Sequence, residues 1–223
     1  MITKVSCSIR ADHNQNSEPM PITLDVENQR FAFGGNWTEA FKYDDTNYYR
    51  NGPERLKGDI TTVEQPSQAV SIVPQSTRAV DVVALHNANG LLLLEAKDFR
   101  GHQIENKDRI QRGELPVEVA LKVRDTLAGL VGADRRHTNE FNSHDLIEAM
   151  HPDKQVTVVL WLEDDMLWQD ARRSKQQLQA VNDALKQKLA WLGVRSFVLS
   201  SQVPNRLSDL QVTNLAGAGQ PNP

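Results

Sequence analysis

Residues 78–101 read RAVDVVALHNANGLLLLEAKDFRG, and the four leucines in the middle decide how the chain folds. A run as apolar as Leu91–Leu94 belongs inside a sheet covered on both faces. It does not end in a turn residue but in Glu95-Ala96-Lys97. Upstream, residues 79–86 form a second strand-like run, and the intervening Asn89-Gly90 is a strong hairpin signal. Folding about that turn places Asp81 across from residues 97 to 98. Side chains alternate along a strand, so Glu95 and Lys97 point to the same face. Asp81, Glu95 and Lys97 are therefore expected to meet at the open end of the hairpin.

Outward from this hairpin, both flanks carry regular patterns. Ile2, Val5, Cys7 and Ile9 alternate imperfectly, and PITLDV and RFAF continue in kind, which predicts an N-terminal strand and a β-hairpin extension over residues 1–35. Asn36 and Glu39 have capping-box spacing, with Trp37, Phe41, Tyr48 and Tyr49 following, so a helix is expected over 37–50. The segment KGDITTVEQPSQAVSIVPQ reads as one or two short strands broken by Pro66 and Pro74. A helix starts at LPVEVALKV, with Pro116 in its first turn and Gly132 at its end. QVTVVLWLED is a buried strand, and the stripe Leu178, Val181, Leu185, Leu189 and Leu192 marks a long amphipathic helix. VRSFVLSS is a further strand. These elements predict a mixed α/β domain over 36–210 whose central sheet carries helices on its faces, followed by a disordered tail over 211–223.

Composition narrows the function classes. At 223 residues, with 39% hydrophobic and 24% charged residues, the chain has the size and make-up of one soluble globular domain. It has no apolar run of the roughly 18 residues a membrane helix needs, and its N-terminus lacks a signal-peptide pattern, so a cytoplasmic protein with no membrane partner is expected. The single cysteine, Cys7, rules out an internal disulfide and any multi-cysteine zinc site. His137, His144 and His151 are separated by loop signals that prevent their alignment on one helix. A net charge of −4 gives no overall attraction to nucleic acid, so any such binding must come from a local patch.

Two carboxylates and an amine at one sheet edge suit metal-dependent phosphodiester cleavage. Hard oxygen ligands hold Mg²⁺, which neutralises phosphate charge and lowers the pKa of a bound water, and a lysine orients that water or stabilises the developing charge. The alternative is a surface salt bridge at a strand end, worth at most about 1 kcal/mol. The acid-x-Lys tripeptide is itself uninformative, because about one occurs by chance in a chain this acidic. Glu105-Asn106-Lys107 has the same form, but it has no apolar strand before it and no hairpin partner. Context makes the difference between the two.

In that context, Asp81 followed after thirteen residues by Glu95-Ala96-Lys97 resembles the PD-(D/E)XK nuclease superfamily, whose core is helix, three strands, helix, strand. The resemblance spans about 130 residues, with Val80 where a proline is common. It implies a restriction-endonuclease-like mixed sheet flanked by helices. It further implies that Asp81, Glu95 and the Ala96 carbonyl bind Mg²⁺, with Mn²⁺ as substitute, and that Lys97 assists the nucleophilic water. Glu39 would match the accessory acid that some members carry on their first helix. Arg100 and Lys107 in the following polar loop, and Lys122 on the next helix, are candidate phosphate contacts. The expected partner is nucleic acid, DNA favoured over RNA, with a protein partner or a homodimer supplying specificity, in genome defence or DNA processing. A catalytically silent interaction subunit of the same fold and a ribonuclease are the rival readings.

Overall fold

The structure is a computed structural model that describes residues 20–56, 77–87, 90–101, 109–110, 112–165, 171–203, 207 and 209–215. The strand expected over residues 2–9, the short strands of 57–75, Asn89, Lys107, Trp168 and residues 216–223 lie outside the described residues.

A five-stranded mixed sheet forms the centre, in the order β3-β4-β5-β6-β7. Strands β3 (Trp37–Lys42), β4 (Val82–His86) and β5 (Gly90–Asp98) make an antiparallel meander. Strands β6 (Val156–Glu163) and β7 (Arg195–Leu199) follow parallel to β5. A second sheet of three antiparallel strands, in the order β1-β2-β8, contains β1 (Ile22–Val26), β2 (Gln29–Phe33) and β8 (Leu210–Asn214). The helices are α1 (Asn47–Asn51), α2 (Glu114–Arg135), α3 (Ser143–Glu148) and α4 (Ala171–Leu189). Among the described residues, no helix is long and apolar enough to cross a membrane.

Strand β5 is buried on both faces, which explains its uninterrupted leucines. Leu91 and Leu93 pack with Val119, Val123 and Leu130 of α2 and with Leu178 and Leu185 of α4. Leu92, Leu94 and Ala96 pack on the other face against Phe31 and Phe33 of the small sheet, together with Trp161. Each fully buried leucine contributes roughly 1.5–3 kcal/mol, so the central strand is anchored from both sides. This sandwiched sheet agrees with the expected mixed α/β class.

Three expectations are corrected. Residues 37–42 are a strand and not the start of a helix. Ala40 faces the small sheet and Phe41 the helices, as neighbours in a strand must, and a register shift against β4 between Trp37 and Glu39 turns Trp37 to the small-sheet face as well. The helix is confined to α1, where Thr46 supplies the N-cap by accepting a hydrogen bond from Tyr49 N. Asn36 and Glu39 thus form no capping box, and in the described chain a strand precedes the first helix. The third correction concerns the tail: residue 211 lies inside β8, which pairs with β2, so the N-terminal extension and the end of the chain build one sheet.

Gly90 shows how tightly the hairpin is set. Its φ is +79°, and a Cβ there would stand 2.3 Å from the Gln155 carbonyl oxygen, which accepts from Leu91 N at 3.0 Å. Replacing it strains the backbone and also pushes β5 away from the chain entering β6. Gly90→Ala is expected to lower the unfolding free energy by about 2–4 kcal/mol, measured by urea denaturation.

Candidate active site

The four hairpin pairs nearest the open end are Leu85↔Leu91, Ala84↔Leu92, Val83↔Leu93 and Val82↔Leu94. Asp81, one residue before β4, therefore lies across from Glu95 and not from residues 97 to 98. Gly90 is already the first residue of β5 and pairs with His86, so the ladder is symmetric about position 88 and not about Asn89-Gly90. Counting by twos from the core residues Val83, Leu91 and Leu93 puts Asp81, Glu95 and Lys97 on the helix-covered face. There they meet Lys122 of α2.

Glu95 is the centre of this cluster and has 0% exposure. Its Oε1 accepts from Lys97 Nζ at 2.7 Å and from Lys122 Nζ at 2.6 Å. Its Oε2 is buried with no hydrogen-bond partner among the described residues. Asp81 Oδ2 accepts from Ala96 N at 2.8 Å, and Asp81 Oδ1 is 3.8 Å from Lys122 Nζ. One ammonium thus touches both carboxylates. A strand residue's N–H and C=O point to the same side, so the Ala96 carbonyl also faces Asp81. Strand β4 ends opposite Leu94, which leaves that side of Ala96 without a described ladder partner.

The charges follow from these positions. Burial drives the Glu95 carboxyl up from 4.5 to about 7, Asp81 adds to the rise, and Lys122 and Lys97 oppose it. Burial works to lower the Lys97 ammonium, but Glu95 outweighs it and the net direction is up. Asp44, on the loop between β3 and α1, is raised by burial and by Asp81. Its Oδ1 is a second buried oxygen without a described hydrogen-bond partner. Tyr43 N donates to the Asp81 carbonyl at 3.0 Å, which ties the Asp44 loop to the site.

Asp44 had no distinct signal in the sequence, because the DD pair fell inside a segment patterned as helix. Glu39, expected as the accessory acid, lies elsewhere. It pairs opposite Leu85, four residues along β4 from Asp81, a separation of roughly 13 Å. Its carboxylate accepts from Asn142 N at 3.1 Å. Lys122, in contrast, is more deeply engaged than a phosphate contact on a helix surface: its side chain is 17% exposed and paired with both acids.

Arg100 is not available as a substrate contact. It forms a two-pronged pair with Asp98 (2.8 and 2.7 Å) and reaches Asn214 of β8 at 3.1 Å, with its side chain 4% exposed. Asp98 is one residue out of phase with Lys97, so this pair belongs to the opposite face. Asp165 is engaged elsewhere, accepting from Gly101 N at 2.7 Å.

Among the described residues, no group of three or more His, Cys, Asp or Glu side chains is arranged to hold a metal ion. The donor chemistry still fits a hard divalent cation. Asp81, Glu95 and Asp44 carry carboxylate oxygens of the kind such a cation takes, and Glu95 Oε2 and Asp44 Oδ1 are buried without a described partner. Lys122 stands between Asp81 and Glu95, where it supplies the positive charge they need. No family model matches this chain, and neither the curated proteins nor the solved structures contain a match.

Because the Glu95 carboxyl is raised on folding, the folded chain binds this proton more tightly than the unfolded chain does. The associated stability is present below about pH 4.5 and is lost as pH rises toward 7. Wild-type protein should therefore lose stability relative to Glu95→Gln between pH 4.5 and 7, and the difference should level off above that range. Urea unfolding of both proteins across pH 4.5–8 measures it.

Proposed function

We propose that this chain is a metal-dependent nuclease that hydrolyses phosphodiester bonds, with DNA the favoured substrate. The observation that carries the reading is the buried Glu95, flanked on one face by Asp81 and Lys97 and holding one unsatisfied oxygen. A surface salt bridge at a strand end would be solvated and would explain none of this burial. The mixed sheet, with its antiparallel meander running into a parallel strand, is compatible with a restriction-endonuclease-like fold and a cytoplasmic nucleic-acid enzyme.

Asp81, Glu95 and the Ala96 carbonyl would hold Mg²⁺, with Asp44 close by. When bound, the ion supplies charge neutralisation at the phosphate and a water of lowered pKa. Lys97, fixed by Glu95, orients the attacking water and stabilises charge as it develops on the phosphoryl oxygens. Lys122 leaves its place between the carboxylates and meets the phosphate. Ionised Glu95 favours cation binding, so activity should rise as pH increases toward and through 7.

One observation favours a second reading, a catalytically silent interaction subunit. Both ammoniums sit on Glu95 Oε1, and Lys122 already provides the cation between the acids. A single experiment separates the two. Purified protein is incubated with supercoiled, linear and single-stranded DNA and with RNA, in Mg²⁺, Mn²⁺ or EDTA. Cleavage should require metal, and Asp81→Ala, Glu95→Gln and Lys97→Ala should each lower its rate by about 10²-fold or more. Metal-dependent cleavage that persists undiminished in all three variants would remove this site from the reaction. No cleavage by the wild type would favour the silent subunit.

A further inference from the structure

The cluster shares a wall with an open cavity of about 390 Å³, to which Asp44, Lys122, Arg50, Thr77 and Arg78 contribute. This volume is near the small end of the roughly 300–1,000 Å³ typical of ligand pockets. It suits one nucleotide better than a continuing strand. Most of the charged groups around it are already engaged. Asp45 pairs with Lys42 at 2.8 Å and also with Arg50, whose Nε donates to the Asp44 carbonyl at 3.3 Å. Lys122 faces Glu95.

Arg78 differs from these. Its backbone N donates to Asp125 Oδ2 at 3.0 Å, which fixes the main chain, while its guanidinium has no ion-pair partner among the described residues. An otherwise uncommitted guanidinium in a polar cavity is an anion receptor, with a fork that matches phosphate oxygens. A terminal phosphomonoester carries about −1.5 to −2 charges near neutral pH. An internal phosphodiester carries only one, so such a receptor favours a phosphorylated end.

We propose that this cavity receives the 5′-phosphorylated terminal nucleotide of a nucleic-acid strand, with Arg78 binding the phosphate, so that the enzyme acts from strand ends. The inference rests on the nuclease reading of the adjoining cluster. A strand whose first nucleotide fills the cavity carries its next phosphodiester past Asp44 and Lys122 toward Asp81 and Glu95. Water then adds to phosphorus, the bond to the 3′ oxygen breaks, and that oxygen takes up a proton. The products are a mononucleotide and a shortened strand whose new 5′ phosphate fits the same cavity. Each cut therefore regenerates the group that Arg78 binds.

The test measures binding separately from cleavage. Fluorescent oligonucleotides with 5′-phosphate, 3′-phosphate or hydroxyl ends are titrated with the full chain in EDTA and read by anisotropy. The 5′-phosphorylated strand should bind about tenfold or more tightly than the other two. Arg78→Gln should abolish this preference without weakening the hydroxyl-ended strand, and Arg78→Lys, which keeps the charge but not the fork, should retain part of it. Equal binding of all ends, or a full preference in Arg78→Gln, overturns the proposal. In Mg²⁺, 5′-phosphorylated linear DNA should be degraded while closed circles persist. Circles cut as fast as linear DNA would overturn end-directed action and leave the nuclease reading standing. Phosphate-dependent binding without any cleavage would support the cavity and overturn the nuclease reading instead.

Discussion

Everything at the candidate site depends on one fully buried carboxylate. A charge in the position of Glu95 is tolerable only with close compensation, and two ammoniums supply it through the same oxygen. One ammonium comes from the same strand, whereas the other comes from α2. The interaction therefore joins the helix layer to the sheet as well as neutralising the acid. Asp81 completes the arrangement by accepting from the Ala96 amide, where β4 no longer runs alongside β5. Removing any one partner leaves a charge or a donor stranded in the interior, which is the costly case for buried ion pairs.

The same strand end does a second job on its other face. Asp98 binds Arg100 and accepts from Asn28 Nδ2 at 2.7 Å, and Arg100 reaches Asn214. These contacts dock the hairpin of β1 and β2, together with β8, against the end of β5. Nearby, Glu163 accepts from Trp161 Nε1 and from both the backbone and the hydroxyl of Ser201. Glu27, at the hairpin tip with φ +52°, comes within 4.0 Å of Lys97 Nζ. The small sheet thus buttresses the lysine that the proposed chemistry uses. In the Glu95–Asp98 segment the side chains of Glu95 and Lys97 face the charge cluster, Ala96 gives it a backbone N–H, and Asp98 bonds to the small sheet.

The legible parts of the sequence were those set by short-range periodicity. The leucine run and the alternation of Glu95 and Lys97 are local properties, and the hairpin and the Asp81–Glu95–Lys97 grouping follow from them, whereas the register expected from Asn89-Gly90 is off by two to three residues. Lys122 was visible only as part of a polar helix face. Its turn toward Glu95 depends on how α2 packs across the sheet, which local pattern does not encode. Residues 37–42 differ from the expected helix because Trp37 and Phe41 have helical spacing, whereas pairing with β4 makes a strand whose register shift turns the two rings to opposite faces. That error hid Asp44 inside an apparent helix and promoted Glu39. Arg100 was misplaced because a loop charge next to a site looks the same in sequence whether it faces substrate or folds back onto Asp98.

The charge balance around Glu95 links the pH behaviour to the proposed chemistry. Asp81 and Glu95 share Lys122, Lys97 adds a second ammonium on Glu95, and Asp44 lies within the fields of Lys42 and Lys122, so the buried acids compete for the same few cations. Burial and mutual repulsion push Glu95 and Asp44 toward their protonated forms. Proton uptake and the binding of a divalent cation would therefore be competing ways of relieving that repulsion, each weakening the other. Lys122 would be a third competitor, since its ammonium already stands against both Asp81 and Glu95. A site built this way would bind a divalent cation weakly while Lys122 stays in place. Under the proposed chemistry it would bind more tightly once a phosphate drew that ammonium away, which would couple cation binding to the arrival of substrate.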